Sequence, residues 1–152
     1  MAQLIHDTII GNLLITGNGN AVTGIWPYKS GIINEASDRI TEQAARELDE
    51  YFAGKRRIFT VPTFAEGTAF QRSVWAALSL IPYGETRSYG QIAESIGNPK
   101  ACRAVGNANN RNPIMIIIPC HRVIGADNTL VGYGGGLDVK RKLLELEKNY
   151  FI

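Results

Sequence analysis

Cys120 and His121 are adjacent in the chain, with Pro119 before them and Arg122 after. A thiol reacts as its thiolate, and a neighbouring imidazole or helix N-terminus favours that form. The pair therefore suits nucleophilic chemistry. Strand neighbours point to opposite faces, so both side chains can serve one pocket only if the chain turns at Pro119. An arbitrary pair of this kind is more often an inert buried thiol beside a surface imidazole, so its flanks matter. The remaining Cys102 and His6 give no zinc-ligand spacing, so no metal is expected. A Cys102–Cys120 disulfide is conceivable, but a reducing compartment and the need for a free thiol argue against it.

The elements that would position the pair follow from local patterns. Ile114-Met115-Ile116-Ile117-Ile118 reads as a buried strand, which Pro119 stops because it offers no N–H to a ladder. Arg122 to Ile124 reads as another short strand. Upstream, Thr68 and Gln71 form a capping box that opens a helix whose core stripe is Phe70, Val74, Leu78 and Ile81. Ser88 and Gln91 form a second box, opening a short helix that Gly97 stops. Asn98 is then an expected N-cap with Pro99 in the first helical position, and a third helix runs to about Asn109. The last two helices make a helix-turn-helix pattern. In the second of them Ala101, Ala104, Val105 and Ala108 form a small apolar face, while Arg103, Asn107 and Asn110 share another. Beyond Cys120, four glycines around Tyr133 would let backbone approach a ligand, and a last helix from Leu137 buries Val139, Leu143, Leu144 and Leu146 and carries Glu147 near its end.

Residues 3–28 read as a strand meander, Leu4 to Ile10, Leu13 to Thr16 and Ala21 to Trp26, with turns at Gly11-Asn12 and Asn18-Gly19-Asn20. A helix follows from about Ser37, with Ile40, Ala44, Leu48 and Tyr51 on one face and Gly54 in the stop position. Ile58 to Val61 suggests a further short strand, after the solvated basic run Lys55-Arg56-Arg57. The expected fold is mixed α/β of the α+β kind. Residues 1–64 form a small N-terminal meander with a helix. Residues 65–152 form a mainly helical domain with the helix-turn-helix and the cysteine on a short strand or turn.

Composition excludes several classes. A chain of 152 residues with 45% hydrophobic and 20% charged residues is long and apolar enough to bury a core. No apolar run reaches the roughly 18 residues of a membrane span. Met1-Ala2-Gln3-Leu4 does not lead from a basic to an apolar segment, so an intracellular protein is expected, cytoplasmic or, in a eukaryote, nuclear. Net charge is only +2, but residues 1–65 carry −1 and residues 66–152 carry +3, so the positive excess accompanies Cys120.

Pro119-Cys120-His121-Arg122-Val123, with Asn112-Pro113 upstream and Gly132-Tyr133-Gly134-Gly135-Gly136-Leu137 downstream, closely resembles the O6-alkylguanine-DNA alkyltransferases. The resemblance is strong from Gly67 to Glu147 and looser before. It implies DNA repair by direct, stoichiometric transfer of an alkyl group from O6-alkylguanine, and also O4-alkylthymine, to Cys120, after the base is flipped out of the duplex. It makes Cys120 the acceptor, His121 the base acting through a water, and Glu147 the group that orients and charge-stabilises the imidazole. Asn112 would brace the turn before the nucleophile. Tyr89 would help expel the base, and backbone at Cys120, Val123 and Gly134 would read the guanine edge, beside Tyr133. Arg103 would fill the vacated stack as an arginine finger, with Ala104 and Asn107 on a helix presented to the minor groove. No cofactor is expected. The expected partner is double-stranded DNA, bound by a monomer. The alternative is an alkylated-DNA-binding protein without transfer activity; such relatives replace the cysteine, which this chain retains.

Overall fold

The computed structural model describes residues 1–31, 33, 35–125 and 136–150. They fall into two compact units, Met1–Glu66 and Gly67–Ile152.

In the first unit, β1 (Ala2–Thr8), β2 (Gly11–Gly17) and β3 (Val22–Pro27) form an antiparallel meander in the order β1-β2-β3. The first hairpin reverses at Ile9-Ile10, earlier than the expected Gly11-Asn12, because Thr8 faces Gly11 across the ladder. Thr8 Oγ1 accepts from Ile10 N at 3.2 Å and donates to Gly11 O at 2.7 Å, so a side chain satisfies the turn's backbone. The second hairpin turns where expected: Asn18 Oδ1 accepts from Asn20 N and Ala21 N, both at 2.9 Å. Helix α1 (Arg39–Phe52) packs on this sheet through Ile40, Ala44, Leu48 and Tyr51, the stripe that the spacing predicts. Residues 58–61 are not a strand. The buried Glu47 carboxylate accepts instead from Thr60 N (2.8 Å), Thr60 Oγ1 (2.8 Å) and Val61 N (3.2 Å), so one side chain replaces a ladder. Arg56 is not simply solvated; its Nε donates to Glu50 at 2.8 Å.

In the second unit, α2 (Ala69–Leu78), α3 (Tyr89–Ser95) and α4 (Cys102–Asn110) pack pairwise, with α3 and α4 forming the helix-turn-helix. Both expected capping boxes form, Thr68 with Gln71 and Ser88 with Gln91. The third start differs. Asn98 and Pro99 lie in a turn in which Ala101 N donates to Asn98 O at 3.0 Å, and α4 begins at Cys102 with no side-chain cap. Tertiary packing locates this helix, with the Trp75 indole donating to Ala108 O at 2.9 Å. Val105, Ala108 and Asn109 are its buried residues. Ala104, expected on the packing face, points outward with Arg103 and Asn107, whereas Ala108 is covered.

A two-residue strand β4 (Arg87–Ser88) pairs in parallel with β5 (Val123–Ile124). Helix α5 (Leu137–Asn149) closes the described chain and buries Lys140, Leu143, Leu146 and Glu147, with Val139 and Leu144 only half-buried. Residues 114–118 form a tight turn, not a strand. Ile118 N donates to Ile114 O at 3.0 Å, and the buried Ile116 adopts φ +73°, which a β-branched residue rarely takes. The expected apolar periodicity could not separate these outcomes, because a five-residue buried run looks alike as strand or turn. The mixed α/β class is the one expected. No helix among the described residues is long and apolar enough to cross a membrane.

Candidate active site

Cys120 opens a 3-10 turn, Cys120–Arg122, and is 5% exposed. Pro119 (φ −81°, ψ 64°) turns the chain into it. Two side-chain amides hold the backbone around Cys120. Asn112 Oδ1 accepts from Ile114 N at 3.0 Å and its Nδ2 donates to Ile118 O at 2.8 Å, bridging the strained turn from both ends. Asn109 Nδ2 donates to Cys120 O at 3.4 Å. Neither Cys102 nor Cys120 is in a disulfide, and Cys102 is exposed.

His121 is fully buried, and its Nε2 lies 2.6 Å from Glu147 Oε2. Glu147 is itself 1% exposed and accepts three further hydrogen bonds: from Arg122 Nε at 2.8 Å, Arg122 Nη2 at 3.0 Å and Gly84 N at 3.1 Å. Arg122 Nη1 is tied to Ile81 O at 2.7 Å, and its guanidinium lies over the Tyr83 ring. Burial would raise the Glu147 carboxyl, but the His121 and Arg122 hydrogen bonds and charges outweigh it and hold it well below the usual carboxylate range. Burial pushes the His121 imidazole below its ordinary value, against the pull of Glu147 and with the help of Arg122 and Lys140. A neutral imidazole donating from Nε2 to a carboxylate has its lone pair on Nδ1. Nδ1 is buried and has no hydrogen-bond partner among the described residues. The arrangement is a preset base: an oriented imidazole with one free acceptor atom, beside a thiol.

Tyr89 opens α3 and is half-buried; burial raises its phenol, as do the charges of Cys120 and Cys102, so it stays a hydroxyl donor. Val123 N donates to Cys120 O, and Val123 O accepts from Lys140 Nζ at 2.5 Å. Its carbonyl retains a second lone pair. Arg103, Ala104 and Asn107 are exposed along α4. Tyr133 and Gly134 lie outside the described residues. Sequence reasoning thus named Cys120, His121, Glu147, Tyr89 and Asn112, which cluster around one turn. It missed Arg122 as the clamp on Glu147, Asn109, and Lys140. A signal for Lys140 existed: it lies seven residues before Glu147, two turns along one helix face.

Residues 3–64 match the ribonuclease-like domain of 6-O-methylguanine DNA methyltransferase, and residues 69–149 match the DNA-binding domain of the same family. A methylated-DNA–protein-cysteine methyltransferase of Methanosarcina barkeri is 64% identical over 151 residues, covering 95% of this chain and 96% of that protein. One from Methanosarcina acetivorans is 51% identical over 153 residues, covering 97% and 98%. The Mycobacterium tuberculosis OGT solved in complex with DNA superposes with a TM-score of 0.91 at 48% identity, covering 99% of this chain and 94% of that one. A helix-turn-helix protein with a buried thiol and imidazole is the class that fold and site define. The chain belongs to the 6-O-methylguanine DNA methyltransferase family, as the residues around Cys120 lead one to expect.

Proposed function

We propose that this protein repairs DNA by moving an alkyl group from the O6 oxygen of guanine to Cys120 Sγ, once per chain. The observation that carries the proposal is the buried His121–Glu147 pair beside Cys120, with His121 Nδ1 left without a hydrogen-bond partner among the described residues. His121 takes the Cys120 proton through a water, and Glu147 stabilises the resulting imidazolium. The thiolate attacks the alkyl carbon; the S–C bond forms, the C–O6 bond breaks, and its electron pair passes to the base. Tyr89, kept protonated by burial, donates to the departing ring, and the proton held on His121 restores the neutral guanine.

The alkylated base must leave the stack, at a cost of a few kcal/mol. Arg103, exposed on α4, is suited to occupy the space it vacates. Ala104 and Asn107 share that outward face, and their small or polar side chains permit close approach to the minor groove. Ala108 has no part in that approach because it is buried. Val123 O, Gly134 and Tyr133 are proposed to read and wall the base, Asn112 to keep the nucleophile's turn in shape, and O4-alkylthymine to be a second substrate. The reading takes the protein to act as a cytoplasmic monomer without cofactor.

The test is incubation with duplex DNA containing O6-methylguanine, followed by mass analysis. Gain of one methyl group on the Cys120 peptide is expected. Tight binding of the alkylated duplex with no gain of mass would instead identify a binding protein without transfer.

A further inference from the structure

Pro82-Tyr83-Gly84-Glu85, the turn that follows α2, does more than end a helix. Glu85 N donates to Pro82 O at 3.1 Å, and Gly84 adopts φ +80°. Among the described residues Ile116 is the one non-glycine with a positive φ, so Tyr83 keeps the ordinary sign. A positive φ at the second central residue alone defines a type II turn, which calls for glycine or asparagine there. Types I and II differ in the central peptide, which is turned over by about half a revolution between them. Here that peptide is Tyr83 C=O with Gly84 N–H. The N–H faces Glu147 and donates to its Oε1 at 3.1 Å. In a type I turn the Tyr83 carbonyl would take that side. The same stretch seats the opposite charge. Ile81 O accepts from Arg122 Nη1 at 2.7 Å, and the Tyr83 ring centroid lies 5.6 Å from the guanidinium carbon.

We infer that Gly84 is a positioning residue for the transfer: it fixes a type II turn, which sets a backbone donor rather than an acceptor against Glu147 and so keeps His121 a neutral base. The inference rests on Cys120 being the acceptor and His121 its base. A carboxylate holds an imidazolium less strongly when other donors share its charge. Glu147 pulls the His121 imidazole upward, while burial, Arg122 and Lys140 push it down. A donor on Glu147 Oε1 acts in the same sense as Arg122; a carbonyl oxygen in its place would act in the opposite sense. The charged or titratable groups that face the pair are Arg122 on the 3-10 turn, Lys140 on α5 and the Tyr83 phenol. Cys120 adjoins His121 in the chain, and α2 turns the uncharged Val74, Trp75 and Leu78 inward. Glu85, next to Gly84, is paired with Arg87 at 3.1 Å.

Two measurements test this. The first is the pH profile of Cys120 alkylation by the free base O6-benzylguanine, for the wild type, Gly84→Val and Gly84→Asn. Valine rarely enters the left-handed region, whereas asparagine does so readily. Gly84→Val should move the acid limb up by about one pH unit, roughly a tenfold loss on that limb. Gly84→Asn should retain most of the wild-type profile. A valine variant slowed by one factor at every pH would mark a glycine that serves the fold alone, and would overturn the inference. Equal shifts in both variants would overturn it too, since the added side chain and not the turn type would then be responsible. The second measurement uses the wild type alone, and so survives a variant that fails to fold. The Gly84 amide proton is followed by NMR while His121 is titrated downward from neutrality. It should move with the same midpoint as the imidazole. An amide that stays fixed while His121 takes up its proton would overturn the inference. Failure of wild-type Cys120 to gain mass would refute the functional reading instead and leave the titration readable, which keeps the two failures apart.

Discussion

Glu147 is the residue on which the site's electrostatics converge, because one carboxylate serves His121, Arg122 and Gly84. Glu147→Gln keeps an acceptor for His121 but removes the charge that offsets the buried Arg122 guanidinium. Breaking a buried pair in this way costs about 3–5 kcal/mol. The variant should lose that much in urea unfolding and react at least tenfold more slowly; wild-type stability would dismiss the clamp. The same residues set the acid limit. Glu147 and His121 are both depressed on folding, so each contributes stability that is complete above its unfolded value and is lost as pH falls. Melting temperature should therefore hold above about pH 6.5, decline below it as unfolded His121 takes up protons, and fall further below about pH 4.5 through Glu147. A maximum at pH 5 would contradict the sign. Cys120→Ser should abolish transfer while duplex affinity stays near that of the wild type, since the thiol and the exposed α4 face are separate; methyl transfer by the serine variant would remove Cys120 from the chemistry.

At the scale of the element, α4 and the turn that follows it divide the work. Arg103 projects from the outward face, so Arg103→Ala should slow repair of a paired lesion more than reaction with O6-benzylguanine. Equal losses would assign Arg103 to the fold. The turn at 114–118 depends on Asn112, since the left-handed Ile116 is held only while the chain ends around it are tied. Asn112→Ala would leave Ile114 N without that partner, at roughly 1–3 kcal/mol for a buried group left unpaired, and Ile118 O with the bond from Cys120 N. Stability and transfer should fall together, seen by unfolding and by the rate of Cys120 alkylation. Retained reactivity in a destabilised variant would separate the brace from the nucleophile.

At the scale of the whole molecule, a thioether is a poor leaving group, so the chain should accept one methyl group and stop. The added methyl enters a packed turn, where overfilling typically costs ~1–3 kcal/mol. The crowding reaches α4 through Asn109, which bonds Cys120 O. The methylated protein should melt lower and bind duplex DNA more weakly than the free form. An unchanged melting temperature, or uptake of a second equivalent at Cys120, would refute this.

The sequence by itself determined the locally encoded parts. Thr68 with Gln71 and Ser88 with Gln91 start helices because a side chain and a backbone amide three residues apart satisfy each other without help. The stripe on α1 is legible for the same reason, since one period fixes one face. The Cys120-His121 pair and its flanks were likewise legible, because the chemistry is carried by residues adjacent in the chain. What only the tertiary structure decided were the features whose partners are distant. Asn98-Pro99 is a sound local start, yet α4 begins later, in a helix anchored by Trp75 from α2. The apolar run before Cys120 is a turn because Asn112 supplies the hydrogen bonds that a neighbouring strand would otherwise give. Arg122 and Lys140 read as ordinary surface cations until burial brings them to Glu147 and to the carbonyl of Val123. A charge's cost and its counter-charge depend on what lies across the fold, and that is not written in the residues beside it.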